Sequence, residues 1–139
     1  MPALQDLRVA VSETDAWIDD VMRRLGWHDR ERVYLVLLAT LHALRDGLPR
    51  DEAIYVGAQL PALLRGLYYE GWHPDDHLAA KSRSAFLLRI HDSVHRDPGI
   101  DVEEAARAVF AALAARLPAA ELEDAKAATP EPLHNLWPS

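Results

Sequence analysis

Residues 39–67 have the sequence ATLHALRDGLPRDEAIYVGAQLPALLRGL, and a shift of 69 positions aligns them without a gap on residues 108–136, AVFAALAARLPAAELEDAKAATPEPLHNL. Ten of these 29 positions are identical. The identical pairs are Ala39/Ala108, Ala43/Ala112, Leu44/Leu113, Leu48/Leu117, Pro49/Pro118, Glu52/Glu121, Ala58/Ala127, Pro61/Pro130, Leu64/Leu133 and Leu67/Leu136. Prolines and a glutamate that recur in register are stronger indicators than alanines in alanine-rich stretches. The spacing therefore predicts two copies of one helical unit and a pseudo-symmetric fold.

An amphipathic helix is predicted at the beginning of the first copy. Its apolar residues recur at helical spacing and are Trp17, Ile18, Val21, Met22 and Leu25. Gly26 then ends the pattern. The charged residues between the apolar ones include the neighbours Asp19 and Asp20, and this pattern assigns both to the solvent-facing side of the helix.

The sequence allows two starting points for this helix. Ser12 could cap the first turn, because a serine hydroxyl accepts from the free amides there. Alternatively, Leu4, Leu7 and Val11 would extend the apolar stripe backwards, although polar and β-branched residues between them weaken the helical pattern. Both starting points remain open at this stage.

The remaining helices of the first copy follow from apolar runs and breakers. Residues 33–39 are apolar on every side, which is typical of a helix in the centre of a bundle, and the helix is predicted from about Asp29 to Asp46. Pro49 is suited to the first turn of a third helix. Pro61 begins a fourth helix, predicted to run to about Glu70.

The second copy repeats this order after a polar linker at residues 73–82. Asp101 can cap an alanine-rich helix, whose small side chains favour close packing against residues 33–44. We therefore predict an all-α fold, a single compact bundle of about eight helices built from two pseudo-symmetric four-helix repeats. The chain 1–139 is then one domain, with repeat one at residues 12–72 and repeat two at residues 83–138.

Composition excludes several classes of function. The chain of 139 residues carries 15 basic and 22 acidic side chains, a formal charge of −7, which disfavours nucleic acid as a partner. There is no cysteine, so thiolate catalysis and thiolate metal sites are excluded. No stretch approaches the roughly 20 apolar residues of a membrane span, and the first 11 residues lack the apolar core of a secretory signal. We expect a cytoplasmic protein without a membrane partner.

The histidines and carboxylates give no catalytic constellation, and we expect no cofactor. His91 and His95 stand four residues apart on a predicted helix, as do His73 and His77 around a proline, but a zinc site needs three or four ligands. No metal site is predicted from them. The chain has no Glu-x-x-His pair of the kind that di-iron bundles use.

Two sets of residues are candidates for binding. Tyr68, Tyr69 and Trp72 lie close to Arg65 in one short segment, and such residues often anchor protein interfaces. They indicate a non-enzymatic module that binds another protein or forms a homo-oligomer. The alternative is a small-molecule or metal site between the repeats near His42 and Arg45, which interrupt the apolar central helix.

Four stretches resemble the bacterial family called domain of unknown function 2267. They are residues 17–27 (WIDDVMRRLGW), the pair Asp29 and Arg30, residues 41–49 (LHALRDGLP) and residues 57–72 (GAQLPALLRGLYYEGW). The resemblance spans residues 14–137. It implies a small helical protein of the bacterial cytosol and supplies no catalytic residues.

Overall fold

A computed structural model of the chain describes residues 2–74 and 82–138. These residues form seven α-helices and one 3₁₀ helix, and the described part contains no strand, so the predicted all-α class is confirmed. The α-helices are α1 (Pro2–Leu25), α2 (Arg30–Gly47), α3 (Arg50–Ala58), α4 (Ala62–Tyr69), α5 (Arg83–Ser93), α6 (Val102–Arg116) and α7 (Ala119–Ala128), and the 3₁₀ helix is Glu131–Leu136. Most of the predicted linker at residues 73–82 lies outside the described residues, as does His77.

The helix boundaries follow from caps that the sequence contains. The side chain of Asp29 accepts from the backbone N–H of Arg32 at 3.2 Å at the start of α2, and Asp101 accepts from Glu104 at 3.1 Å at the start of α6. Four prolines stand at the N-cap positions of the short helices, at Pro49, Pro61, Pro118 and Pro130. Gly26 and Gly71 follow α1 and α4 with φ of +70° and +74°, a conformation that glycine adopts without steric cost.

The first helix resolves the open question of its starting point. α1 runs without interruption from Pro2, so Ser12 lies inside the helix and does not cap it. Thr14 Oγ1 donates to the carbonyl oxygen of Ala10 at 2.9 Å, one turn earlier, which is how a hydroxyl inside a helix finds a partner. The extension through Leu4, Leu7 and Val11 therefore forms, because no breaker stands between Pro2 and Gly26.

A single cluster of buried residues, drawn from both halves of the sequence, forms the core. α2 lies at its centre and packs on α1, α4, α5 and α6, which confirms the central position predicted from its all-round apolar run. α6 packs directly on α2, as its alanines predicted. At the other side of α6, the Phe110 ring lies 6.0 Å from Phe86 and 4.5 Å from Trp137.

One prediction about α1 is wrong, because Asp20 does not face solvent. Its side chain is buried, with 3% of the residue exposed, at the contact between α1 and α6. It accepts from Arg23 at 2.7 Å, Arg24 at 3.1 Å and Arg116 at 2.5 Å. The Arg116 guanidinium also lies 4.7 Å from the centre of the Trp17 ring. A buried carboxylate is tolerated here because three arginines surround it.

Within the described ranges, no helix combines the length and the apolar character that crossing a bilayer requires.

Candidate functional site

The residues predicted to bind a ligand, His42 and Arg45, belong to α2, and their side chains contact the C-terminal end of α4. His42 Nε2 donates to the carbonyl oxygen of Leu67 at 2.8 Å, and since a carbonyl only accepts, this nitrogen carries the proton. Burial lowers the pKa of His42, although this hydrogen bond opposes the effect. The imidazole is therefore neutral at neutral pH. It supplies a hydrogen-bond donor to a carbonyl group in the last turn of α4, where the regular helical hydrogen bonds end.

Arg45 also contacts the end of α4 and makes four side-chain hydrogen bonds. Its Nη1 donates to the carbonyl oxygens of Tyr68 at 2.8 Å and Glu70 at 2.9 Å. Its Nε and Nη2 hold both oxygens of Asp46, at 2.9 and 3.1 Å. Asp46 in turn accepts from Arg89 on α5. These contacts join three helices, so His42 and Arg45 have structural partners, and the ligand site near them stays a prediction.

The four residues predicted to bind a partner lie together, and of these only Tyr68 is fully buried. Arg65 lies across the end of α3, where Nε donates to the Gly57 carbonyl oxygen at 3.0 Å and Nη2 donates to that of Leu60 at 2.9 Å. Tyr68 is fully buried. Its Oη donates to the carbonyl oxygen of Ala53 at 2.7 Å, and burial raises the pKa of this phenol. Arg65 and Tyr68 thus hold α3 to α4.

Tyr69 and Trp72 are half-buried and form a stack at the edge of the bundle. Their ring centres are 5.6 Å apart, and Tyr69 Oη donates to the carbonyl oxygen of Ile54 at 3.3 Å. The close approach that makes this packing possible is at Gly57, where an added Cβ would lie 2.7 Å from Tyr69 Cζ and 2.9 Å from Tyr68 Cε2. At Gly66, inside α4, nothing lies within 4 Å of the position that a Cβ would take.

The histidine pair on α5 does not share a helical face. α5 ends at Ser93, and His95 lies beyond it with φ of +60°. His91 Nε2 donates to the carbonyl oxygen of Asp97 at 3.2 Å. Across residues 2–74 and 82–138, no three histidine or carboxylate side chains are grouped in a way that could hold a metal ion.

A surface that sequence reasoning left open is the first part of α1. Residues 4–13, here called the N-terminal arm, project from the bundle, and nine of these ten residues are exposed. The arm carries an apolar stripe formed by Leu4, Leu7 and Val11, and Leu7 is 63% exposed. The signal in the sequence was heptad spacing. The positions that alternate by three and four residues are Leu4, Leu7, Val11, Thr14, Ile18, Val21 and Leu25.

The same stripe changes its environment along one helix. Thr14, Ile18, Val21 and Leu25 are buried in the bundle. The first three positions of the stripe have the same spacing, but no part of the described chain covers them. An apolar seam that continues past the end of its own core is typical of a helix that packs against a second helix.

One comparison with protein families covers most of the chain. The family described as an uncharacterized conserved protein, DUF2267, matches residues 14–136. The chain belongs to the DUF2267 family. The match to DUF2267 begins at Thr14, the first buried position after the N-terminal arm, so it covers the bundle and excludes the arm. Among curated proteins, none matches this DUF2267 chain significantly.

Proposed function

We propose that this chain is a non-enzymatic protein-interaction module that associates with a second copy of itself through the N-terminal arm. The observation that carries the proposal is the exposed stripe of Leu4, Leu7 and Val11 on a helix whose later heptad positions are buried. A bacterial cytosol as its compartment stays a prediction from the sequence.

The arm needs a partner for physical reasons. An isolated helix of about ten residues is marginal in water, and most helical stability in proteins comes from packing an apolar face. Each leucine or valine moved from water into an interface contributes about 1.5–3 kcal/mol when fully buried. Two copies bring six such side chains together, which is enough to offset part of the entropy that association removes.

The side chains beside the stripe favour a second copy as the occupant. Arg8 and Asp15 lie on the same flank of the stripe, one heptad apart, and carry opposite charges. In an antiparallel pair centred near Val9, Leu7 of one copy packs against Val11 of the other. The flank that carries Arg8 and Asp15 in one copy then faces the same flank of the other copy. On the opposite flank Ala10 is small and permits close approach of the helices.

Net charge predicts how this association responds to salt. Each copy carries a formal charge of −7, so two copies repel one another at long range. Salt screens this repulsion beyond about 8–10 Å at physiological ionic strength, whereas it leaves apolar contacts intact. We therefore expect dimerisation to strengthen as salt rises, with a dissociation constant on the order of micromolar, because the interface is small.

A pair of matched variants in the arm tests the proposal. Leu4→Gln with Leu7→Gln removes two of the three residues of the stripe, whereas Val9→Gln replaces an exposed apolar residue on the opposite side of the same helix. We expect wild type and Val9→Gln to dimerise and the double variant to stay monomeric in sedimentation velocity over a roughly hundredfold concentration range. Thermal unfolding of all three should coincide at low concentration, because the arm is outside the core.

The aromatic stack offers a second surface for the same function. Of the predicted partner-binding set, Tyr69 and Trp72 are half-exposed, whereas the exposed Arg65 already uses its guanidinium on carbonyl oxygens at the end of α3. The double variant Tyr69→Ala, Trp72→Ala, measured in the same way, separates the two surfaces. A dimer that persists in the arm variant and is lost in the aromatic variant would transfer the interface to Tyr69 and Trp72. A wild-type chain that is monomeric at every concentration and salt would refute self-association altogether.

We also infer that the bundle arose from a tandem duplication, which would make its two halves pseudo-symmetric. Three pairs of helix-end residues separated by 69 positions support this. They are the C-caps Leu48 and Leu117, the N-caps Pro49 and Pro118, and the N-caps Pro61 and Pro130. An experimental structure in which residues 17–72 do not superpose on residues 86–137 would contradict the duplication.

A further inference from the structure

Two glutamates from equivalent positions of the aligned segments meet where α3 packs on α7. Glu52 on α3 and Glu121 on α7 are separated by 69 residues in sequence, and their side chains lie close enough for a hydrogen bond if one of them carries a proton. Both residues are half-buried. In each, the Oε1 atom is shielded from solvent and has no donor from the described part of the chain. Two ionised carboxylates provide acceptors only, so this contact lacks the hydrogen that would satisfy it.

The surroundings of Glu52 do not compensate for a second negative charge. α7 contributes Glu121 itself and Asp124, both acidic, and the charges of both disfavour ionisation of Glu52. On the α4 side the nearby titratable group is Tyr68, whose neutral phenol is already committed to the Ala53 carbonyl oxygen. Like charges that are partly removed from water oppose one another's ionisation, so this environment favours the protonated form of Glu52.

We propose that Glu52 and Glu121 share one proton that fastens α3 to α7, and that loss of this proton loosens the contact between the two halves of the bundle. With the proton present, one carboxyl donates to the other and both buried oxygens are satisfied. When the proton leaves to solvent, two carboxylates face one another and repel. The contact between α3 and α7 is then weakened.

The pH at which the shared proton is lost follows from the environment of Glu52. Burial, followed by the hydrogen bond and the charge of Glu121, raises the pKa of Glu52 to about 7. In the unfolded chain the same carboxyl titrates near its ordinary value of 4.5. Between these two values the folded protein binds the proton more tightly than the unfolded chain does. The free energy of unfolding therefore falls as pH rises from about 4.5 to about 7, and the loss is complete above that range.

Glu52→Gln tests the shared proton directly. Its amide donates to Glu121 at every pH, so the contact no longer depends on a titrating group. We expect the unfolding equilibrium constant of wild type, measured by urea denaturation, to rise at least about tenfold between pH 5 and pH 8 relative to that of Glu52→Gln. Glu123→Gln is the control, since Glu123 lies on the same helix, two residues from Glu121, with an exposed side chain. The unfolding equilibrium constant of Glu123→Gln should change with pH as that of wild type does.

Two further measurements keep the test decisive. If Glu52→Gln fails to fold, Glu121→Gln replaces it. Its stability should depend less on pH than that of wild type, because an amide on either side supplies the missing donor. Infrared difference spectra of the whole protein should contain a protonated carboxyl band that disappears near pH 7 in wild type and is missing in Glu52→Gln. Wild-type and Glu52→Gln stabilities that change in parallel across the pH range, or a wild-type spectrum without that band, would overturn the proposal.

Discussion

Asp20→Ala is expected to lower the free energy of unfolding by about 3 kcal/mol, because it breaks a buried ion-pair network. Asp20 is the buried acceptor for Arg23 and Arg24 on its own helix and for Arg116 on α6. Removing it leaves the Arg116 guanidinium at the α1–α6 contact, above the Trp17 ring, without its carboxylate partner. Urea denaturation followed by circular dichroism at neutral pH measures the change.

Asp19→Ala is the matched control. Asp19 is the next residue along the helix, its side chain is more than half exposed, and it pairs with Arg30 at the surface. Exposed ion pairs contribute about 0–1 kcal/mol, so this variant should lose less than about 1 kcal/mol. Equal losses in the two variants would mean that burial of Asp20 is not what makes its network important.

The decrease in folding stability at acidic pH gives a second measure of the contribution of Asp20. Burial alone would raise its pKa, but the hydrogen bond from Arg116 and the charges of Arg24 and Arg116 outweigh burial and lower it. A lowered folded pKa means that the stabilisation is present above the unfolded value of about 3.8 and is lost as pH falls below it. Asp20→Ala should therefore make this decrease smaller. This sign is opposite to that expected for Glu52, whose pKa is raised.

Gly57→Ala is expected to destabilise the fold by about 1–2 kcal/mol, although alanine is the better helix former. The new methyl group would contact Tyr69 Oη and Cζ and would lie 2.9 Å from Tyr68 Cε2. Tyr69 can swing towards solvent, but it then loses its hydrogen bond to Ile54 and its stack on Trp72. Tyr68 is buried and has no such freedom. Thermal unfolding of Gly57→Ala and wild type measures this loss of stability.

Gly66→Ala should have the opposite sign. Gly66 lies inside α4, is exposed, and has nothing within 4 Å of the position that a Cβ would take. The substitution should therefore stabilise the protein by about 0.5–1 kcal/mol through helix propensity alone. If both variants shifted stability in the same direction, the close approach of the two tyrosines to α3 could not be the reason that glycine occupies position 57.

Helix boundaries were the most predictable part of this fold, because caps act over only a few residues. Asp29, Pro49, Pro61 and Asp101 all stand at helix starts, as local chemistry required. The start of α1 was ambiguous for the same reason, since Ser12 can either cap a helix or lie inside one. The choice depends on whether the preceding residues continue the helix, and propensity alone separates the two states by too little free energy.

The binding candidates were the least predictable part, because identical residue types serve as helix-end partners and as interface anchors. Arg65 and Tyr68 have the composition of an interface but use their polar atoms on carbonyl groups of α3. Arg45 does the same for α4. Which carbonyl group stands opposite a side chain 8 to 25 residues away depends on helix crossing angles, and no local pattern encodes those.

The sequence by itself determined the all-α class, the central position of α2 and most helix ends, because period, propensity and capping depend on neighbours along the chain. Tertiary structure alone decided that Asp20 is buried while Asp19 is exposed, and that Glu52 faces Glu121. Both depend on which helix surfaces meet across 69 to 96 residues of chain. The raised pKa of Glu52 follows from the packing of these helix surfaces, because charges interact through space and burial disfavours the ionised form.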